Sequence, residues 1–273
     1  MGKNMKEQQN DKQVQKRPEA EVPTSLLTQF DKEKGGGFEN TSKDAYAVPF
    51  LKILQQMSPQ VNEDDESSYV QGAKQGMFFN SVSAALYGKE VKVIPITYYR
   101  EFIEWRPERG GFVRAHGADP AILDRTTRNE KNQDVLPNGN IIQDCRCHVV
   151  LVADDLVAGP MILGLVSTGI RHSKKWMSLM RMIKTPNNQD APMYSSVWKL
   201  WTVLNKNDDG SWYMIGDGNA QAFERVGWVN EDQWHAALEA KALFDSGKAR
   251  MDYEQMNEGR GGGSDSDSDD TPF

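Results

Sequence analysis

VKVIPITYYREFIEW, residues 91–105, is a long run of β-branched and aromatic side chains. Such a composition is typical of a β-strand. Six further runs of the same kind stand between loops rich in Gly, Pro, Asn and Asp; they cover residues 76–82, 111–114, 146–153, 161–167, 197–204 and 212–215. Seven short strands separated by turn residues predict a chain that is mainly β, with a mostly antiparallel sheet.

Three stretches have the spacing of helices instead. Residues 172–184 place apolar side chains on one arc of a helical wheel and cations on the opposite arc. Residues 231–244 follow Asn230 as an N-cap, and residues 48–57 have apolar positions at helical spacing before Pro59. A helix placed before the last strands of a β-rich chain is typical of an OB-like antiparallel barrel with added helices, and a mixed α+β fold is the alternative.

The two ends differ in composition from the middle. Residues 1–45 and 253–273 are polar and charged, with too few large apolar side chains to offset the entropy lost on ordering. We therefore expect a disordered N-terminal arm over 1–45 and a flexible acidic tail over 253–273. Residues 46–252 between them suffice for one folded domain.

The charge of the chain restricts where a polyanion could bind. The formal net charge is -7, from 32 basic and 39 acidic residues, so any basic surface must be local. The two cysteines, Cys145 and Cys147, are too few for a disulfide framework, and no apolar run reaches the roughly 20 residues that span a bilayer. These features predict a cytoplasmic protein without a membrane partner or a cofactor.

The last residues, 261–273, read GGGSDSDSDDTPF. Glycines give this segment slack, carboxylates repel one another and keep it extended, and one aromatic ring lies beside the terminal carboxylate. A partner protein needs only a small apolar pocket rimmed by Lys or Arg to hold such an end. The candidate protein-interaction residues are Asp267, Asp269, Asp270, Pro272 and Phe273. The alternative is an acidic terminus that only aids solubility.

This ending resembles that of bacterial single-stranded DNA-binding proteins, whose tails finish in several Asp, one variable residue, Pro and Phe. The resemblance implies that the tail docks on replication, recombination or repair proteins. Residues 50–105, including GMFFN at 76–80, are similar to phage-encoded OB-fold proteins that bind single-stranded DNA. The body differs from the common bacterial protein, which is shorter and has a long Gly/Gln/Pro linker. A phage-encoded protein would act in the cytoplasm of its bacterial host.

Binding single strands without sequence preference needs cations for the phosphates and flat rings for the bases. Alternation puts Tyr98, Arg100, Phe102 and Arg106 on one face of their strand, and we expect that face to point outward, because burying guanidinium groups unpaired is unfavourable. The cationic helix and the strand at 197–204 add further candidates. The DNA-binding candidates are Lys92, Tyr98, Arg100, Phe102, Arg106, Arg171, Lys174, Lys175, Arg181, Lys199 and Trp201. The alternative is that the rings belong to the core and the helix face is merely solvated.

No constellation of residues predicts catalysis. Cys145-x-Cys147-His148 lacks the second ligand pair of a structural zinc site, and the pairs Asp154–Asp155 and Asp208–Asp209 stand in turns, where Asp is common anyway. We therefore predict neither a bound metal nor enzyme activity. Two other functions stay open: a metal-dependent recombination nuclease that uses these Asp pairs, and an acidic adaptor protein without a DNA role. A homo-oligomer is compatible with either reading.

Overall fold

The structure is a computed structural model that describes residues 23–33, 36–37, 48–65, 67–107, 110–208, 210–216 and 220–246. The chain divides into two units, residues 1–42 and 43–273. In the first unit, helix α1 spans Thr24–Lys32. Leu26, Leu27 and Phe30 give this part of the predicted arm its helical apolar spacing, and the disordered arm over residues 1–45 stays a prediction. Most of the predicted arm and the whole predicted tail, 253–273, lie outside the described residues.

The second unit is mainly β and antiparallel, as predicted, and its large sheet curls into a half-barrel. Each of the seven predicted runs contains a strand. The strands are β1 Leu51–Ile53, β2 Phe78–Asn80, β3 Leu86–Gly88, β4 Glu90–Trp105, β5 Phe112–Ala115, β6 Thr127–Arg128, β7 Asp134–Val135, β8 Ile141–Val152, β9 Met161–Val166, β10 Ser196–Asn207, β11 Gly210–Ile215 and β12 Phe223–Trp228. The helices are α2 Gly169–Arg181 and α3 Glu231–Asp245.

Strand β4 organises the large sheet. It pairs with β8 along most of its length and with β10 near its start. The sheet runs β11-β10-β4-β8-β7-β6, while β9 pairs with β8, β12 with β10 and β5 with β4. The register with β8 shifts between Pro95 and Thr97, a bulge of the kind that bends a strand and increases its twist.

The prediction of a helix over residues 48–57 is wrong. Leu51–Ile53 forms β1, which pairs with β2 in a small sheet of β1, β2 and β3. Phe50, Leu51 and Leu54 are buried in three different apolar clusters. An extended segment that is buried on both sides has apolar residues on both faces, and here their spacing imitated that of a helix.

The same segment lies between the two strands that face each other across the open side of the half-barrel. The backbone N–H of Ile162 in β9 donates to the carbonyl oxygen of Pro49 at 2.8 Å. The side chain of Gln55 accepts from the backbone N–H of Tyr213 in β11 at 2.8 Å and donates to its carbonyl oxygen at 2.9 Å. We call this region between β9 and β11 the seam.

Both faces of the large sheet are covered. The inner face carries Val93, Val150 and Leu163, which pack with Trp176 of α2 and with the small sheet. The outer face carries Ile94, Val149 and Leu151, which pack with Ala237 and Ala240 of α3. α3 begins at the predicted cap, where the side chain of Asn230 accepts from the backbone N–H of Gln233 and the Gln233 side chain accepts from that of Asn230.

Candidate nucleic-acid interface

Helix α2 has a row of exposed cations and no acidic residue of its own to neutralise them. Its buried residues are Gly169, His172, Ser173, Trp176 and Met180. Its exposed cations are Arg171, Lys174, Lys175 and Arg181. The helix contains no Asp or Glu, and none of these four makes an ion pair within the part of the chain that the structure describes. The predicted amphipathic helix is thus confirmed, and its cationic face is free to meet a polyanion.

Trp176 and His148 fix α2 on the inner face of the sheet. The ring of Trp176 lies 4.8 Å from that of His148 in β8 and 6.1 Å from that of Trp198 in β10. Nε2 of His148 lies 2.8 Å from Oγ of Ser173, in hydrogen-bond contact. Because His148 is fully buried, its pKa falls to about 3, and the ring is neutral at neutral pH.

Beside α2, the inner face carries a group that we call the arginine strip: Tyr98, Arg100, Asp144 and Arg146. Tyr98 lies opposite His148 in the β4–β8 register, with ring centroids 5.1 Å apart. Arg146 donates to the hydroxyl of Tyr98 at 3.2 Å and to Asp144 at 2.9 Å. Arg100 donates two hydrogen bonds to the same carboxylate, at 3.0 and 2.7 Å.

The register places the arginine strip between two covered regions. On one side, His148 lies beneath α2; on the other, Phe102 and Ile142 pack with Ile122 and Leu136. The side chains of Arg100, Asp144 and Arg146 are 25%, 20% and 13% exposed. The strip is therefore a partly accessible recess with two guanidinium groups and one carboxylate. Arg146 was missed from the sequence, because its proximity to Tyr98 depends on strand pairing.

The prediction that Phe102 stacks on DNA bases is wrong. Its side chain is fully buried in an apolar cluster, and the guanidinium of Arg100 lies over its ring at 4.3 Å. The argument for an outward face assumed that Arg100 would be unpaired if this face were covered. Asp144 pairs with Arg100, and a guanidinium that is paired and hydrogen-bonded tolerates partial burial. The argument for an outward face therefore fails. Arg106, which alternation predicted on the same face, is exposed just after β4 ends.

Lys92 and Lys199 lie on the outer face, opposite to the arginine strip, and Trp201 lies beside Lys199 and also packs against the apolar cluster of Val93 and Trp176. Lys92 and Lys199 are direct neighbours in the β4–β10 register, and Nζ of Lys199 lies 5.3 Å from the centre of the Trp201 ring. Each lysine already has an acidic partner: Lys92 lies 3.4 Å from Asp154, and Lys199 lies 2.7 Å from Glu224. The predicted DNA-binding residues thus divide between two faces. Among those that the structure describes, Lys92, Lys199 and Arg100 have acidic partners, whereas the exposed cations of α2 form no ion pair with another described residue.

The groups weighed as metal ligands are separated or engaged elsewhere. Cys145 and Cys147 are buried together, with sulfur atoms 3.3 Å apart, in a cluster on the outer face, whereas His148 lies on the inner face. Asp155 accepts a hydrogen bond from Tyr87 at 3.0 Å. Among the residues that the structure describes, no group of three or more His, Cys, Asp or Glu could hold a metal ion.

The five tail residues predicted to bind partner proteins, Asp267, Asp269, Asp270, Pro272 and Phe273, lie outside the described residues. Within the described part of the chain, no helix has both the length and the apolar character needed to cross a membrane.

Comparison with known proteins identifies a family. Residues 17–250 match the model of the family described as Pam3 phage gp34-like protein. The matched range includes every strand of the half-barrel, α2 and α3. No curated protein and no solved structure matches the chain.

Proposed function

The chain belongs to the family of Pam3 phage gp34-like proteins, and we propose that it binds single-stranded DNA without sequence preference during phage DNA replication, recombination or repair. The observation that carries the proposal is the unbalanced cationic face of α2 beside the arginine strip. The exposed cations of α2 supply charge for the phosphates, and Tyr98 supplies a half-buried ring at the border of the same surface. Cations with adjacent aromatic rings are what non-specific single-strand binding requires.

The connectivity of the half-barrel supports this proposal. β4 pairs with both β8 and β10, β9 follows on β8, α2 joins β9 to β10, and β11 pairs with β10. We interpret these five strands as a partly open OB-type barrel; they follow one another along the chain as β4, β8, β9, β10 and β11 and lie in the sheet in the order β11-β10-β4-β8-β9. Barrels of this type bind oligonucleotides through the face of their second and third strands and the adjoining loops.

In this proposal the protein is not an enzyme, and its acidic tail recruits replication or recombination proteins in the cytoplasm of the bacterial host. The tail residues Asp269, Asp270, Pro272 and Phe273 would enter a partner's apolar pocket rimmed by cations. The tail and the folded body thus bind different partners. Pockets on partner proteins would bind the anionic tail, while the cationic face of the folded body would bind the polynucleotide.

A gel shift with oligo-dT tests the proposal. The wild-type chain should bind at about 50 mM salt and lose affinity steeply toward about 200 mM. The double variant K174E/K175E should bind at least about tenfold more weakly at low salt, because it reverses two phosphate-facing charges. The matched control is R125E/K131E, which reverses two exposed cations beside β6 and β7, at the end of β8 opposite to His148 and α2.

Equal binding by both double variants would contradict a role for α2, and the absence of any binding would support an adaptor without a DNA role. Incubation of labelled single strands with Mg²⁺ or Mn²⁺ tests the nuclease alternative. We expect intact strands after incubation, since Asp154 and Asp155 already have Lys92 and Tyr87 as partners. Cleavage would overturn the proposal that the chain only binds.

A further inference from the structure

A groove opens along the seam, next to the first residue of α2. Its volume is about 450 Å³, within the range of small-ligand sites. Segment 50–55 forms one wall, and Trp212, Tyr213 and Met214 of β11 form the other. Val166, Thr168 and Gly169 close the end toward α2. We call this cavity the seam groove.

The lining of the seam groove suits a flat, uncharged group. Trp212 and Tyr213 offer half-buried aromatic rings, and Gln143 and Asn207 bring side-chain amides. Lys52 is the one charged residue that the described part of the chain contributes to the lining, and no carboxylate lies there. Aromatic rings stack on nucleobases, and amides form hydrogen bonds with base edges.

Gly164 has no side chain and so leaves space above β9 at the bottom of the seam groove. It lies in the middle of β9 and is half-buried, with neighbours Leu163 and Leu165 that are fully buried. A glycine inside a strand forgoes the packing of a side chain and often marks the place where a ligand approaches the backbone. The groove can therefore admit a ring close to the strand.

The seam groove opens at the N-terminal end of α2. Thr168 and Gly169 line the groove, and the exposed cations of α2 begin at Arg171, about half a turn further along the helix. A strand whose phosphates follow Lys175, Lys174 and Arg171 toward the start of the helix therefore leads to the end of the groove. We infer that the seam groove binds one nucleobase of that strand, with Trp212 as the stacking ring. This inference rests on the proposed single-strand binding and specifies where a base is held.

The variant Trp212→Ala tests the inference. Loss of one stacked base should weaken oligo-dT binding about tenfold. Trp212→Phe keeps an aromatic ring and should restore most of the affinity, which separates stacking from a folding defect. The control is Trp228→Ala: Trp228 is also partly exposed, but it pairs with Ser196 at the opposite end of β10 from Trp212, which pairs with Asn205.

An oligonucleotide with an abasic residue at every position separates base from phosphate contacts. Wild type and Trp212→Ala should bind this probe equally, because it has no base to stack. Photocrosslinking with 5-iodouracil in the strand should label Trp212 or Tyr213. If Trp212→Ala binds oligo-dT like wild type and the label falls elsewhere, the inference is overturned while the α2 interface stands. If an extended peptide rather than a nucleotide protects Trp212 from modification, the groove is a peptide site and the inference is likewise overturned.

Discussion

Asp144 accepts hydrogen bonds from two arginines at once, from Arg100 and from Arg146. A carboxylate in this position occupies the same guanidinium donors that a DNA phosphate would use. We predict that Asp144→Asn raises the affinity for oligo-dT by about threefold to tenfold at low salt, because both arginines then become available to phosphates. The salt dependence of the binding constant should steepen in parallel. Fluorescence anisotropy over a range of salt concentrations measures both quantities.

The matched control is Asp154→Asn. It removes the same charge but releases Lys92 on the outer face, so the affinity should stay near that of wild type. Weaker binding by Asp144→Asn would show instead that the carboxylate positions the two guanidinium groups for DNA. Thermal unfolding of each variant establishes that the comparison concerns folded protein.

Glu104 is a buried carboxylate with partners from three places: Arg114 in β5, His116 just after β5 and Asn140 just before β8. Burial by itself raises the pKa of Glu104, but hydrogen bonds from Asn140, His116 and Arg114 outweigh it and lower the pKa to about 2. In the unfolded chain the pKa is about 4.3. The lowered value means that the ionised carboxylate stabilises the fold above about pH 4.3 and that this contribution is lost as the pH falls toward about 2.

We predict that Glu104→Gln is less stable than wild type by about 3 kcal/mol at neutral pH, because it leaves Arg114 and His116 without their anion. The difference should shrink by about pH 3, because the unfolded wild-type chain has by then taken up a proton that the folded chain still largely excludes. Urea unfolding at both pH values measures it. Glu101→Gln, which changes an adjacent carboxylate that accepts from the backbone of Gly117, is the control. If the difference in unfolding free energy between Glu104→Gln and wild type is the same at both pH values, it arises from poor packing of the glutamine and not from loss of the charge.

Single residues also show where sequence reasoning reaches its limit. Alternation correctly placed Tyr98, Arg100 and Phe102 on one face, because that follows from strand geometry alone. Alternation alone does not show which residues of the protein cover that face. The answer depends on Asp144, which is distant in sequence and meets Arg100 only through the β4–β8 register. Burial of Phe102 and pairing of Arg100 were therefore beyond prediction from this strand.

Elements with a one-sided pattern were predictable, and elements buried on both sides were not. α2 and α3 have local signals: an apolar arc for the first and the Asn230–Gln233 cap for the second. β1 is apolar on both faces, so its period was ambiguous. β6 and β7 have two residues each, and β12 is mostly exposed, so none of them shows the alternation that indicates a strand.

The pairing of elements creates the candidate site. α2 alone is a cationic helix, and β4 alone is a strand with two tyrosines. Contact between Ser173 and His148, and between His148 and Tyr98, places them side by side. The seam groove likewise forms only where β9, β11 and segment 50–55 come together. These three segments are far apart in sequence. A single sequence contains no direct record of these contacts, so the surface emerges only from the fold.

At the scale of the whole molecule, charge is separated along the chain. The formal net charge is -7, yet α2 has four exposed cations and no acid, while four Asp stand in the last ten residues with no Lys or Arg. A protein with this distribution attracts polyanions at one surface despite its negative total. The same distribution makes its own tail a candidate competitor for that surface.

Deletion of residues 264–273 tests this competition. The deletion removes four carboxylates and changes the formal net charge from -7 to -3. An anionic segment that reaches α2 lowers the affinity for DNA, so the truncated chain should bind oligo-dT more tightly, most clearly at low salt, where electrostatic attraction is least screened. It should also fail to capture replication or recombination proteins, which we propose that the tail recruits. Replacing the four Asp by Asn, with Pro272 and Phe273 kept, separates charge from the aromatic end: affinity for DNA should rise as in the deletion. An unchanged affinity in both variants would contradict autoinhibition and leave the tail to protein partners alone.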